Sequence, residues 1–203
     1  MPSSPLRRLL RPLLDPPDAL DPTAIEGQRL VRRALAALPA ARQVRAFLDG
    51  SWFGHALHPA LTDVPSGSWT LACLFDAADV LGMHRFRAAA DASIAVGLLA
   101  VPVTAAAGAV DWSGIEGGRS RRRGLVHAAL NIVASAAYLG SLVERCRGHR
   151  GSGRAWSIAG YVVMTVAAYL GGELVFGDPD PEPREDADPA APTPPPMPDA
   201  PTV

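Results

Sequence analysis

ASIAVGLLAVPVTAAAGAV, residues 92–110, runs for nineteen positions without a formal charge. At about 1.5 Å of rise per residue, a helix of that length matches a bilayer core of about 30 Å. Two later stretches share this character: residues 125–143 give nineteen uncharged positions and residues 155–172 give eighteen. A helix lining a water-soluble core keeps a charged face for solvent, and none of these three offers one. The pattern predicts an all-α integral membrane protein.

A fourth span is read between about Pro59 and Gly82. It contains Asp63, Asp76 and Asp79, but residues 64–75 are uncharged and the carboxylates fall toward its ends. A carboxylate at mid-bilayer costs about 2.5–3.5 kcal/mol on insertion scales, and terminal placement relieves most of that. The links at 83–87, 111–124 and 144–154 are short and carry arginine. Residues 51–177 are therefore expected to form a four-helix up-down bundle.

Different flanks are expected on either side. Residues 1–50 hold eight arginines among Leu, Ala and Pro, with no apolar run of signal-peptide length. Asp21 with Pro22, or Thr23 with Glu26, can start a helix that ends at Pro39, and a shorter helix stops at Gly50. Leu30, Ala34, Ala37 and Leu38 form an apolar stripe beside Arg29, Arg32 and Arg33. Such a helix either lies on an anionic membrane surface or packs on its own domain. Residues 178–203 hold ten of the twenty prolines and seven acids against Arg184 alone. That composition reads as a disordered acidic tail, solvated or binding a basic partner. The N-terminal side of the spans carries 13 arginines against 6 on the other, so both termini are expected in the cytoplasm, at the cytoplasmic (inner) membrane.

Composition also excludes chemistry. All 19 basic residues are arginine, which removes Schiff-base lysines and the Walker phosphate loop. Cys73 and Cys146 are too few for a zinc cluster or a disulfide framework and are expected as free thiols. A net charge of −1 argues against nucleic acid as a partner. Ser93, Gly97, Ala100, Thr104, Gly108 and Asp111 recur at spacings of three and four, a face that lets backbones approach. Pro65 and Pro102 should free the carbonyls of Leu61 and Leu98. Trp52, Trp69, Trp112 and Tyr169 are read as interfacial anchors or core fillers. No internal repeat is read in the four spans, which gives little support to transport.

Alternating directions put the starts of the first and third spans level with the ends of the second and fourth. His55, His58, Asp63, Asp111, His127, Asn131 and Glu173 then share one depth. Ionisable groups in a membrane pair with each other or mark a proton, ion or cofactor site. His58 and His127 could hold a haem iron, or join Asp63 and Glu173 around a metal ion. The alternative is a hydrogen-bonded network, His58 to Asp111 and His127 to a carbonyl, that only fixes helix register. Asp76, Asp79 and Asp91 fall near the opposite leaflet, where ion pairing with Arg85 and Arg87 accounts for them.

The segment HPALTDVPSGSW, residues 58–69, resembles the opening signature of a bacterial membrane family, domain of unknown function 2231. TAAAGAVDW (104–112), HAALN (127–131) and YLGGELVF (169–176) fit the same family. The resemblance implies four helices over about residues 50–177 and no settled activity. Some members are linked to Rieske iron-sulfur domains, which implies membrane electron transfer with a separate partner here. Relatives carry histidine where this chain has Asp63 and Glu173, leaving His58 and His127 as the matching positions. Two readings follow: a redox component binding haem b or a metal, or a non-catalytic membrane scaffold.

Overall fold

The computed structural model describes residues 5–177, and every regular element among them is a helix. Short helices α1 (Pro5–Leu9) and α2 (Arg11–Leu14) lead into α3 (Asp21–Ala36) and α4 (Ala41–Leu48). Four long helices follow: α5 (Leu57–Val80), α6 (Arg87–Ser113), α7 (Gly118–Cys146) and α8 (Arg150–Phe176). The expected acidic tail at 178–203 lies outside the described residues.

Three helical stretches are long and apolar enough to cross a membrane: His84–Ser113, Gly118–Cys146 and Arg150–Phe176. The sequence expectation counted four. α5 is long, at 24 residues, but is not among these three. The radial distribution of side chains agrees with lipid as solvent. Ala72, Ala90, Ala107, Ala134 and Ala167 are fully buried, while Leu99, Ile132 and Val162 face outward, Leu99 at 80% exposure. Large apolar groups outside and small ones between helices would be costly in water and suit a bilayer, where close backbone packing drives association.

α5 packs most closely on α6, and α7 on α8, with α6–α7 and α5–α8 contacts completing the body. Its centre is a stack of Trp69 on Tyr138, ring centroids 4.1 Å apart and planes 15° from parallel, walled by Ile94, Ala134 and Met164. Pro65 and Pro102 both sit inside unbroken helices. The Leu61 carbonyl that Pro65 leaves without its helical donor faces the Thr104 hydroxyl at 3.5 Å, a long contact, since that hydroxyl chiefly donates to Ala100 O at 2.9 Å.

The N-terminal helix packs on the body through a face other than the expected stripe, whose Leu30, Ala34, Ala37 and Leu38 are exposed. Ala24 and Gln28 of α3 are buried, and α3 contacts both α6 and α7. Gln28 Nε2 donates to Trp112 O (2.7 Å) and Ile115 O (2.9 Å), and Arg32 Nη1 donates to Ser113 O (2.8 Å). Trp112 and Ser113 close α6 and Ile115 follows just after it, at a helix end that leaves carbonyls without internal donors. α3 starts at Asp21 with Pro22 as expected, but its N-cap has no side-chain hydrogen bond. Asp21 instead accepts from Arg121 (3.0 Å) and Arg122 (2.7 Å) of α7. The first arginine holds its carboxyl below the ordinary carboxylate range by hydrogen bonding and charge, with Arg122 adding to it.

Candidate functional site

His58 in the first turn of α5 and His127 inside α7 are neighbours, ring centroids 6.2 Å apart with planes at 88°. Each imidazole is anchored by a backbone carbonyl: His58 Nδ1 lies 2.9 Å from Thr104 O, and His127 Nδ1 lies 2.8 Å from Ala167 O. A carbonyl only accepts, so Nδ1 carries the proton in both rings and the neutral imidazole keeps its lone pair on Nε2. Both rings lie against glycine. A Cβ at Gly108 would come within 2.7 Å of His58 Cε1, and one at Gly171 within 3.0 Å of His127 Cε1.

Asn131, one turn beyond His127, donates from Nδ2 to His127 O (2.9 Å) and to His127 Nε2 (3.1 Å). The first partner is a carbonyl, so the amide nitrogen belongs on that side, in keeping with a lone pair on Nε2. Among the described residues no hydrogen bond reaches His58 Nε2.

The other residues expected at this depth do not close around the histidines. Asp63 is exposed, and Glu173 pairs with Arg7 at 2.9 Å. His55 is exposed, its ring edge-on to Phe53 at 6.2 Å. Asp111 is half-buried, and His58 bonds Thr104 O in its place. No group of three or more His, Cys, Asp or Glu among the described residues could hold a metal ion. A bare ion needs at least three protein donors, so the His58, His127, Asp63 and Glu173 set is not assembled.

The opposite end of the body carries the charges, and they are partnered differently from the sequence expectation. Arg145, 1% exposed, forms a two-pronged pair with Asp76 and reaches Asp91 at 3.0 Å. Its Nε donates to Ser141 Oγ, which in turn donates to Gly153 O at 2.6 Å. Asp79, with no exposed side-chain surface, gathers His84 (2.7 Å), Arg87 (2.7 Å), Arg150 (3.3 Å) and Arg154 (2.9 Å). Arg87 pairs as expected, whereas Arg85 lies over the Phe86 ring at 5.0 Å. The main cations come from α7 and α8, far along the chain, where reading only the adjacent link could not find them. Cys73 and Cys146 are free, as expected.

Three contacts between α5 and α7 share one offset. His58 meets His127, Trp69 meets Tyr138, and Asp76 meets Arg145, each pair 69 residues apart. Their order shows α5 and α7 running in the same direction. On α6 and α8 a second offset of 63 residues relates Gly97 to Gly160, Thr104 to Ala167 and Gly108 to Gly171. Gly97 takes the Trp69 ring and Gly160 the Tyr138 ring, just as Gly108 and Gly171 take the two imidazoles. The α5–α6 and α7–α8 hairpins thus carry one device twice, which corrects the expectation of no repeat. HPALT (58–62) against HAALN (127–131) is the sequence signal that could have found it.

Residues 54–179 match the family described as a predicted membrane protein, domain of unknown function 2231. The match spans more than half of the chain, and the chain belongs to this family. No curated protein and no solved structure matches it.

Proposed function

We propose, from this membership of a membrane family, that the chain is a redox component of the cytoplasmic membrane that holds a haem through His58 and His127. The observation that carries the reading is the pair of imidazoles on separate hairpins, each with Nδ1 committed to a carbonyl and its lone pair on Nε2. That second bond is how proteins orient ligating histidines. Two imidazoles are too few for a bare ion but suffice for haem, whose macrocycle supplies the other four donors. No CxxCH occurs, so the haem would be of the non-covalent b type.

Bound there, haem would supply one-electron chemistry. The chain's own part is to hold it: Thr104 O and Ala167 O fix the two rings, and Gly108 and Gly171 leave room for them. α5 joins the three apolar helices as a fourth span, its ion pairs neutralising Asp76 and Asp79, to give an up-down bundle with both termini cytoplasmic. A separate electron-transfer protein, Rieske-type by the family resemblance, would exchange electrons with it.

A second reading, a scaffold whose polar cluster only fixes register, is favoured by the Asn131 amide on His127 Nε2. The test is full-length protein purified in detergent after expression with haem precursor. A Soret band and bound iron that vanish in the His58→Ala/His127→Ala double variant support the redox reading. A colourless, iron-free and stable wild-type protein establishes the scaffold.

A further inference from the structure

Three aromatic side chains lie open on the surface beside the start of α5. Phe47, at the end of α4, is 56% exposed, Trp52 62% and Phe53 53%. Phe47 and Trp52 stack with ring centroids 5.8 Å apart and planes 8° from parallel, and the Phe53 ring follows at 5.6 Å from Trp52. The turn that carries them is held by its own bonds. Phe53 N–H and Gly54 N–H both donate to Gly50 O, at 2.8 and 3.0 Å, and Asp49 accepts from the Ser51 N–H (2.9 Å) and hydroxyl. Gly50 has a φ of +80°, and a Cβ there would fall 2.0 Å from His55 O, so glycine is needed to close the turn onto α5. Trp52 Nε1 donates to Phe47 O at 3.0 Å. With its one donor satisfied internally, the indole can enter apolar surroundings without leaving a polar group unpaired.

The location and the charges say what covers these rings. α4 rests on α6, and α5 begins at Leu57, five residues after Trp52, so the rings stand where the long helices leave the apolar layer. Aromatic rings favour that depth in a membrane. Arg42 and Arg45, one turn apart on α4, are exposed and form no ion pair among the described residues, while the Asp49 carboxyl near Arg45 is engaged by Ser51. A guanidinium fork matches the oxygens of a phosphate. A second copy of the chain would also cover the rings, but a two-fold contact through this patch would bring like arginines together.

We infer that α4 and the turn after it form a foot that grips an anionic glycerophospholipid. The rings lie at the boundary of acyl chains and headgroups, and Arg42 and Arg45 hold the headgroup phosphate. The foot needs no cofactor, so it stands or falls separately from the haem reading.

The test uses full-length protein in nanodiscs of phosphatidylcholine into which increasing amounts of phosphatidylcholine or phosphatidylglycerol, brominated high on the acyl chain, are mixed as quenchers. The chain has four tryptophans, so the share of emission due to Trp52 is the difference between wild type and Trp52→Phe. That share should be quenched by both lipids, with an apparent affinity for phosphatidylglycerol at least about fivefold higher, the scale of one arginine at an anionic surface. In Arg42→Gln/Arg45→Gln the quenching should persist and the preference should fall to near one. An unchanged melting temperature in detergent shows that these exposed substitutions leave the fold intact.

A Trp52 share that neither lipid quenches overturns the inference, and a dimeric mass for the same protein would then assign the rings to a second copy. Equal quenching by the two lipids in wild type overturns the headgroup site. A preference that survives the double arginine variant places the anion elsewhere and overturns it as well.

Discussion

The two ends of the helical body solve the problem of polar groups among apolar helices in opposite ways. At the Asp76 end the first hairpin supplies Asp76, Asp79 and Asp91 and the second supplies Arg145, Arg150 and Arg154, with His84 and Arg87 of the first hairpin joining on Asp79, and the side chains pair within the protein. At the histidine end the repeat keeps the same residue in both halves, and neutral imidazoles lean on backbone carbonyls. At the first end each buried carboxylate is paired with arginine from the same protein. The second keeps one ring nitrogen, His58 Nε2, that no hydrogen bond reaches among the described residues, while His127 Nε2 takes the Asn131 amide. Position 76 and position 145 are equivalents in the repeat, so charge differentiation there also disfavours either hairpin pairing with a copy of itself.

The largest effect should come from breaking the charged end. Arg145→Ala leaves Asp76 and Asp91 without their shared cation in a buried setting and should cost about 3–5 kcal/mol. Thermal unfolding in detergent would read it. Asp76→Leu combined with Arg145→Leu removes both charges and should return stability to within about 1 kcal/mol of wild type. A double variant as poor as the single would mean that the pair acts through something other than charge compensation.

Next in size are the glycine notches that both hairpins use. Gly97→Ala and Gly160→Ala each drive a Cβ into a ring, and overpacking of this kind costs about 1–3 kcal/mol. The Trp69 indole comes closer to its glycine than Tyr138 does to Gly160, where the nearest ring carbon would be 3.0 Å away. Gly97→Ala should therefore lower the melting temperature more. Equal losses would argue that the two hairpins are more alike than their aromatic rings suggest.

Much of this was legible from the amino-acid order. The three uncharged stretches mark the three apolar helices, and alternating direction correctly brings His58, His127 and Asn131 together. The misses have physical causes. Asp63 falls two turns into α5 on its outer side, and depth alone does not say which face of a helix a residue occupies. Glu173 is drawn to Arg7, a contact across 166 residues that no local pattern encodes. Arg145 and Arg154 look like ordinary link arginines until the hairpin repeat puts the first opposite Asp76. The stripe expected on α3, Leu30, Ala34, Ala37 and Leu38, is exposed; the face that packs carries Ala24 and Gln28, and Gln28 is a single polar residue whose amide fits the carbonyls at the end of α6.

That residue gives the third prediction, at the histidine end. Gln28→Ala removes both donors from Trp112 O and Ile115 O beside a buried position and should cost about 1–3 kcal/mol. Limited proteolysis should then cut between α3 and α5 well before the long helices unfold. Simultaneous loss of the whole structure would show that the N-terminal segment is part of the cooperative body and not a cap on one end.

The smallest effect is the pH dependence of that same cap. Asp21 holds α3 to α7 through Arg121 and Arg122, and it is the carboxyl outside the spans whose proton affinity these arginines lower. A folded-state value below the unfolded one means that the contribution is fully present above the ordinary carboxylate range, near pH 4, and is lost as pH falls through the lower folded value. The pairs are partly exposed, which limits the effect to about 1 kcal/mol or less and makes it sensitive to salt. Acidification below pH 4 should therefore loosen the α3–α7 contact, read as faster proteolysis near Asp21, and Asp21→Asn should show that faster cleavage already at pH 7 with little further change on acidification. An Asp21→Asn protein that still loosens as steeply as wild type would assign the acid response to another carboxylate, Glu173 with its partner Arg7 being the first to examine at this end.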